Sequence, residues 1–165
     1  MRRVMITGSF DPVTVGHEDI IRRASSLFDD VRVTVFINPE KPGMFSADTR
    51  VSFLKSVAQK YPNVSVDFDS GMVIDYVKRE NIAMIVRAVR DEKDLAYEIK
   101  MADFNRENSG VETLLLTADP ALSEISSTEV RRRITSGEAF FALVPAEIHE
   151  EIAIFAKNFT AKSIF

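Results

Sequence analysis

A histidine, a lysine, a pair of arginines and two hydroxyl-bearing turns are the residues of this chain whose types and spacing invite chemistry. The densest group is Thr7-Gly8-Ser9-Phe10-Asp11-Pro12-Val13-Thr14-Val15-Gly16-His17. It follows the apolar run Val4-Met5-Ile6 and leads into Glu18-Asp19-Ile20-Ile21, which compresses a strand end, a Gly/Pro turn and a helix start into one junction. Amides freed at a helix N-terminus point at an anion, and Gly8 and Gly16 allow the backbone to come close. Taken alone, His17 reads equally as a histidine packed at a helix start or as a donor to phosphate. Ser9 and the glycine-flanked turn beside it favour the donor. Lys41 sits between Pro39 and Pro42 in a loop from Asn38 to Phe45. Most single lysines are simply solvated, but a stiffened loop presents its ammonium at a smaller ordering cost.

Arg87 and Arg90 follow the apolar run Ile82–Val86 directly and need carboxylates or phosphates to balance them. Asp94 and Glu98 are four apart on one helix face, a spacing that predicts partners for arginines ahead of a metal site. Arg87 itself is expected to face a ligand rather than that helix. Ser126-Ser127-Thr128 reads plainly as an N-cap with a duplicate. In its functional reading, the hydroxyls and freed amides hold a second phosphate, with Arg131 one turn on. Together these groups describe a polyphosphate site without an obvious nucleophile. The chain has no cysteine, no Ser-His-acid spacing, no Cys/His cluster and no G-x-x-x-x-G-K-[ST] loop, which disfavours covalent catalysis, a tightly held transition metal and ordinary γ-phosphoryl transfer.

The elements that must position these residues are legible from periodicity. Ile20, Ile21, Ala24, Leu27 and Phe28 mark one face of a first helix, with Thr14 as a cap. Val31, Val33, Val35 and Ile37 alternate as a strand; Ser46 caps a helix burying Val51, Leu54, Val57 and Ala58. Val64–Phe68 is a third strand, followed by a helix with Met72, Val73, Tyr76 and Val77 on one side. Ile82–Val86 has the continuous apolar character of a strand buried on both faces of a parallel sheet. A helix from Glu92 to Asn108 is expected to turn Leu95, Ile99 and Ala102 inward, and Thr113–Leu116 is a fifth strand. Ser126 and Glu129 form a candidate capping box before Val130 and Ile134. Gly137 ends that helix, and Pro145 precedes a last one carrying Ile148, Ile152 and Phe155.

Alternating strands and helices call for an α/β fold: a Rossmann-like, doubly wound, five-stranded parallel sheet with C-terminal helices, one domain over residues 1–165. Four polar clusters, Thr7 to His17, Asn38 to Phe45, Arg87 to Glu98 and Thr117 to Thr128, each follow a strand, so the fold is expected to gather them on one rim. With 165 residues, 45% hydrophobic and 28% charged, the composition is ordinary for a globular chain. A formal charge of −4 argues against nucleic acid as a partner. No stretch is long and apolar enough to predict a membrane span, and the absence of cysteine suits a reducing, cytoplasmic setting.

The motifs carry a family resemblance. Gly8-Ser9-Phe10-Asp11-Pro12 with Thr14-Val15-Gly16-His17 and Ile125-Ser126-Ser127-Thr128 resembles the T/H-x-G-H nucleotidyltransferase superfamily. Lys41 before Met44-Phe45, Arg87-Ala88-Val89-Arg90, Tyr97-Glu98 and Asn105-Arg106 narrow the resemblance to the bacterial phosphopantetheine adenylyltransferases, over nearly the whole chain. It implies reversible transfer of AMP from ATP to 4′-phosphopantetheine, giving dephospho-coenzyme A and pyrophosphate, without a covalent intermediate. It also implies Mg²⁺ held mainly through nucleotide phosphates, no protein metal ligand, and a homohexamer. Residue by residue, Ser9 and Lys41 hold the acceptor phosphate, with Met72 and Val73 along the pantetheine arm. His17 stabilises the α-phosphate in transfer, and Arg87 binds near the acceptor and transferred phosphate. Arg90, Ser126, Ser127 and Thr128 grip the β- and γ-phosphates, while Ser9, Phe10, His17, Ala88, Tyr97 and Glu98 contact ATP. Two positions depart from the family pattern: Ser9 stands where threonine is common, and Ala88 where glycine is usual. The acceptor nicotinate mononucleotide and a non-catalytic nucleotide sensor are the rival readings.

Overall fold

The computed structural model describes residues 2–38, 40 and 43–162, with side chains as far as 159. Five strands, β1 (Arg3–Gly8), β2 (Asp30–Phe36), β3 (Val64–Asp69), β4 (Met84–Val89) and β5 (Glu112–Thr117), form one sheet in the order β3-β2-β1-β4-β5. Every neighbouring pair is parallel, with Val4 opposite both Val31 and Met84, and Met84 opposite Glu112. Helices α1 (Val15–Leu27), α2 (Ala47–Ala58), α3 (Val73–Arg79) and α4 (Glu92–Ser109) provide the crossovers, followed by α5 (Ser127–Ser136) and α6 (His149–Lys162). The doubly wound α/β reading therefore holds.

Period two sorts each strand between two cores. Val4 and Ile6 of β1, with Val31, Val33 and Val35 of β2, pack with α1, α2, α5 and α6 through Ile21, Leu54, Ile134 and Ile152. Met5 and Ile85 pack on the other face with Tyr76 and Val77 of α3. Local signals set the helix ends: Thr14, Ser46 and Ser126 each accept a backbone N–H in the first turn. Gly137, at φ 70°, closes α5 in the left-handed conformation that glycine adopts without a Cβ penalty. The capping box of α5 is only half made. Ser126 accepts from the Glu129 amide, but the Glu129 carboxylate turns to Arg132 and Arg133 instead.

Three expectations need correction. The fourth strand begins and ends later than its apolar run, so Arg87 and Ala88 belong to β4 rather than to the turn after it. Leu27 is exposed in the last turn of α1. On α4, Leu95 is 39% and Ile99 48% exposed, while Glu98 and Asn105 are the buried residues. The inward stripe of α4 runs Glu98, Met101, Ala102 and Asn105, and a charge partner on the sheet makes it polar. The apolar periodicity marks its neighbouring outer stripe. Of that expectation only Ala102 remains, half-buried beside a cavity.

Candidate active site

From β1 the chain winds through α1 to β2 and on to β3, then crosses back to β4 on the other side of β1. Strand order therefore reverses between β1 and β4, and a crevice is expected beyond their carboxyl ends. A cavity of about 410 Å³ opens there. The turn Gly8-Ser9-Phe10, His17, Arg87 and Ala88, Arg90, Tyr97 and Glu98 line it, with Ser126 and Ser127 at its far wall. Three of the four expected clusters thus meet. The fourth is represented in the sequence by Lys41, which lies outside the described residues.

His17 is built into the start of α1. The Thr14 amide donates to His17 Nδ1 at 3.0 Å, and the His17 amide donates to the Thr14 hydroxyl at 3.3 Å. This is a capping box in which imidazole takes the usual place of Glu or Gln. An amide can only donate, so Nδ1 is the acceptor and a neutral ring carries its proton on Nε2. The Phe10 ring stands edge-on to the imidazole at 5.1 Å. Desolvation, then the positive charges of Arg87 and Arg90, push the His17 pKa down from 6.5 to about 4. At neutral pH it is therefore a neutral hydrogen-bond donor.

The arginines are less free than expected. Arg87 turns to the helix: Nε donates to Glu98 Oε2 at 2.9 Å and Nη2 to Oε1 at 2.6 Å, while Nη1 donates to the Thr7 carbonyl. A carboxylate on the buried stripe of α4 gives the guanidinium a bidentate, charge-assisted partner. Arg90 pairs with Asp94 at 2.7 Å, which holds the Asp94 carboxyl below its usual range. Both acidic residues thus serve arginines, as their spacing predicts. Arg131 donates to the Asp11 carbonyl at 2.6 Å and to the Thr128 hydroxyl at 3.1 Å.

The hydroxyls at α5 are similarly committed. Ser126 accepts from the Glu129 amide, and Ser127 donates to the Pro12 carbonyl at 2.7 Å. The first-turn amides of Ser127 and Thr128, rather than the hydroxyls, are thus what α5 can present to an anion. Thr128 does not line the cavity. Ser9 is exposed within it, whereas Phe10 is 2% exposed and packs its ring on His17 and beneath Gly8. A second cavity of about 180 Å³ adjoins the first and is lined by Val73, Tyr97, Met101 and Asn105. Met72 is exposed at the N-cap of α3 and lines neither cavity.

Sequence reasoning overlooked the support beneath the turn. The buried Asp11 carboxylate accepts the amides of Met44 and Phe45, both at 2.9 Å, and pairs with Arg50 at 3.3 Å. Arg50 also donates to the Phe45 carbonyl at 2.8 Å. A Cβ on Gly43 would lie 1.7 Å from the Arg50 guanidinium, so this approach needs glycine. The sequence signal was available in a carboxylate wedged between Phe10 and Pro12, but its partners are remote in the chain. The Thr117–Thr128 cluster is expected on the rim for its polar residues, but not for the apolar wall that Ala118, Leu122 and Ile125 contribute.

Residues 5–133 match the cytidylyltransferase-like family model, and the fold and switch-point site accord with it. The chain belongs to these nucleotidyltransferases. Phosphopantetheine adenylyltransferase of Streptomyces coelicolor is 41% identical over 158 residues, covering 96% of this chain and 99% of that protein. The Thermobifida fusca enzyme of the same name is 40% identical over 152 residues, covering 92% and 93%. Within the class, the chain is a member of the phosphopantetheine adenylyltransferase family. A solved structure from Vibrio parahaemolyticus, provisionally assigned as a nicotinate-nucleotide adenylyltransferase, superposes with a TM-score of 0.66 at 18% identity, over 93% of this chain and 99% of that one. At that identity the likeness establishes the fold alone. Among the described residues, no helix is long and apolar enough to cross a membrane.

Proposed function

We propose that the cavity above His17 is where this chain performs its family's reaction, reversible transfer of AMP from ATP to 4′-phosphopantetheine, giving dephospho-coenzyme A and pyrophosphate. The observation that carries this reading is the tautomer of His17. With Nδ1 accepting from the Thr14 amide and Nε2 already protonated, taking up a proton would break that bond, so at neutral pH the ring acts as a donor and not as a general base. The reaction does not need one. A phosphate monoester with a second pKa near 6 is largely dianionic at neutral pH and attacks as it is. Catalysis then rests on alignment and on donors aimed at charge gathering on the α-phosphate, the part given to His17 Nε2–H.

In this reading the acceptor oxygen attacks the α-phosphorus in line. The P–O bond to the β-phosphate breaks, and pyrophosphate leaves with that bond's electron pair. Ser9 and Lys41 hold the acceptor phosphate, and Arg87 lies beside it. Arg90 and the Ser127 amide receive the β- and γ-phosphates, with the Ser126 side chain securing that helix start. Tyr97 and Ala88 border the nucleotide, and Val73 borders the pantetheine arm in the smaller cavity. The described residues hold no cluster of three or more His, Cys, Asp or Glu able to hold a metal. Mg²⁺ would enter on the nucleotide and would neutralise triphosphate charge there.

The assembly is a homohexamer working in the cytosol. Support for self-association comes from Leu95, Ile99 and Phe104, exposed along α4, and from Met72, exposed at the start of the neighbouring α3. The test is an acceptor screen that follows pyrophosphate release from ATP and Mg²⁺. Release with 4′-phosphopantetheine, and little with nicotinate mononucleotide, is expected; release only with another acceptor would overturn the assignment.

A further inference from the structure

The two cavities share a wall made of Thr7, Arg87, Tyr97 and Glu98. Within it, one guanidinium is gripped from both sides. Glu98 takes Nε and Nη2 of Arg87 in a bidentate pair, and the Thr7 carbonyl takes Nη1. A guanidinium offers five N–H bonds. Three are committed here, which leaves two for a ligand. The Glu98 side chain is 7% and the Arg87 side chain 31% exposed, so the carboxylate is buried behind the arginine. Each of its two oxygens accepts from Arg87. Bidentate pairing also fixes the plane of the guanidinium, which a single contact does not.

We propose that Glu98 is a positioning residue: with the Thr7 carbonyl it orients Arg87 so that the two remaining N–H groups meet the acceptor phosphate at the wall between the cavities. The proposal rests on the phosphopantetheine reading of the site. It assigns Glu98 the support of a phosphate-binding arginine. Arg87 and His17 line the same cavity, which places the guanidinium beside the reacting region of the proposed reaction. A misaligned guanidinium would still be cationic, so the cost of losing Glu98 lies in geometry.

The test is a double-mutant cycle on the full-length protein with Arg87→Ala, Glu98→Ala and the double variant, plus Glu98→Gln, which keeps one acceptor oxygen. Two quantities are read for each: kcat/KM for 4′-phosphopantetheine, and calorimetric affinity for 4′-phosphopantetheine and, separately, for ATP. Glu98→Ala is expected to lower acceptor kcat/KM by roughly ten- to a hundredfold and weaken acceptor binding, with ATP affinity changed less than about twofold. Glu98→Gln should recover part of the loss, and the double variant should be no worse than Arg87→Ala, because the two residues act as one unit. Should Glu98→Ala fail to fold, Glu98→Gln carries the comparison. Losses that multiply in the double variant, or an ATP affinity that falls as far as acceptor binding, would overturn the proposal. If wild-type protein binds the acceptor but does not turn it over, the functional reading fails, while the binding cycle still decides the role of Glu98.

Discussion

The Thr14 amide donates to Nδ1 of His17 at 3.0 Å, and the His17 amide returns a bond to the Thr14 hydroxyl. One reciprocal pair thus starts helix α1 and sets which ring nitrogen faces the cavity. In the proposed reaction the same residue serves folding and chemistry, and substitutions can separate the two. His17→Ala should lose about 10²–10³ in kcat, the cost of removing a transition-state donor, and about 1 kcal/mol of stability with the cap. His17→Gln keeps the reach back to the Thr14 amide, so it should regain most of the stability and little of the turnover. Denaturant unfolding beside steady-state kinetics checks both, and full turnover in His17→Gln would refute the role given to Nε2–H.

Burial and two nearby arginines hold the His17 pKa at about 4, below an ordinary 6.5. Between those values the unfolded chain binds a proton that the folded chain does not, so the stability contribution is complete above pH 6.5. It is lost as pH falls toward 4, below which the dependence on this group levels off. NMR titration should find the ring midpoint near 4. The acid limb of acceptor kcat/KM should instead follow the acceptor phosphate, near pH ~6. A ring midpoint near the ordinary value would contradict the buried, arginine-flanked environment.

Asp11 ties the turn after β1 to the loop that enters α2 through Met44, Phe45 and Arg50. Asp11→Ala leaves a buried guanidinium without its carboxylate and two amides without an acceptor, and should destabilise by about 3–5 kcal/mol. Gly43→Ala should also destabilise, because its methyl group meets the Arg50 guanidinium. Thermal and chemical unfolding measure both; a neutral Asp11→Ala would show that Arg50 finds another partner.

Ala88 lines the larger cavity, which the proposed reaction gives to the nucleotide, from within β4, opposite Leu116 of β5. Removing its methyl group in Ala88→Gly should let the nucleotide approach the strand more closely and lower the KM for ATP. The strand loses about 0.5–1 kcal/mol through the freer glycine backbone. An unchanged or raised KM for ATP would mean that the methyl does not limit approach.

Much of the architecture was legible because it is written in local patterns. Alternation in Val31, Val33 and Val35, the turn residues between elements, and the caps at Thr14, Ser46 and Gly137 are short-range signals, and each element they predict is present. Right-handed βαβ winding then brings strand ends together, so the gathering of His17, Arg87 and Ser127 on one rim followed from chain order alone.

What the sequence determined by itself was therefore the class of fold, the identity of the cluster and the family to which its motifs point. Only the tertiary structure decided how each charged group is used. Arg87 could face a ligand or a helix, and its choice of Glu98 depends on which stripe of α4 turns inward. Apolar periodicity misjudged that stripe because a buried ion pair makes the inward face polar while Leu95 and Ile99 remain outside. Asp11 found its partners more than thirty positions away, at Met44 and Phe45. Side-chain pairing of this kind is a property of three-dimensional proximity, and no spacing along the chain encodes it.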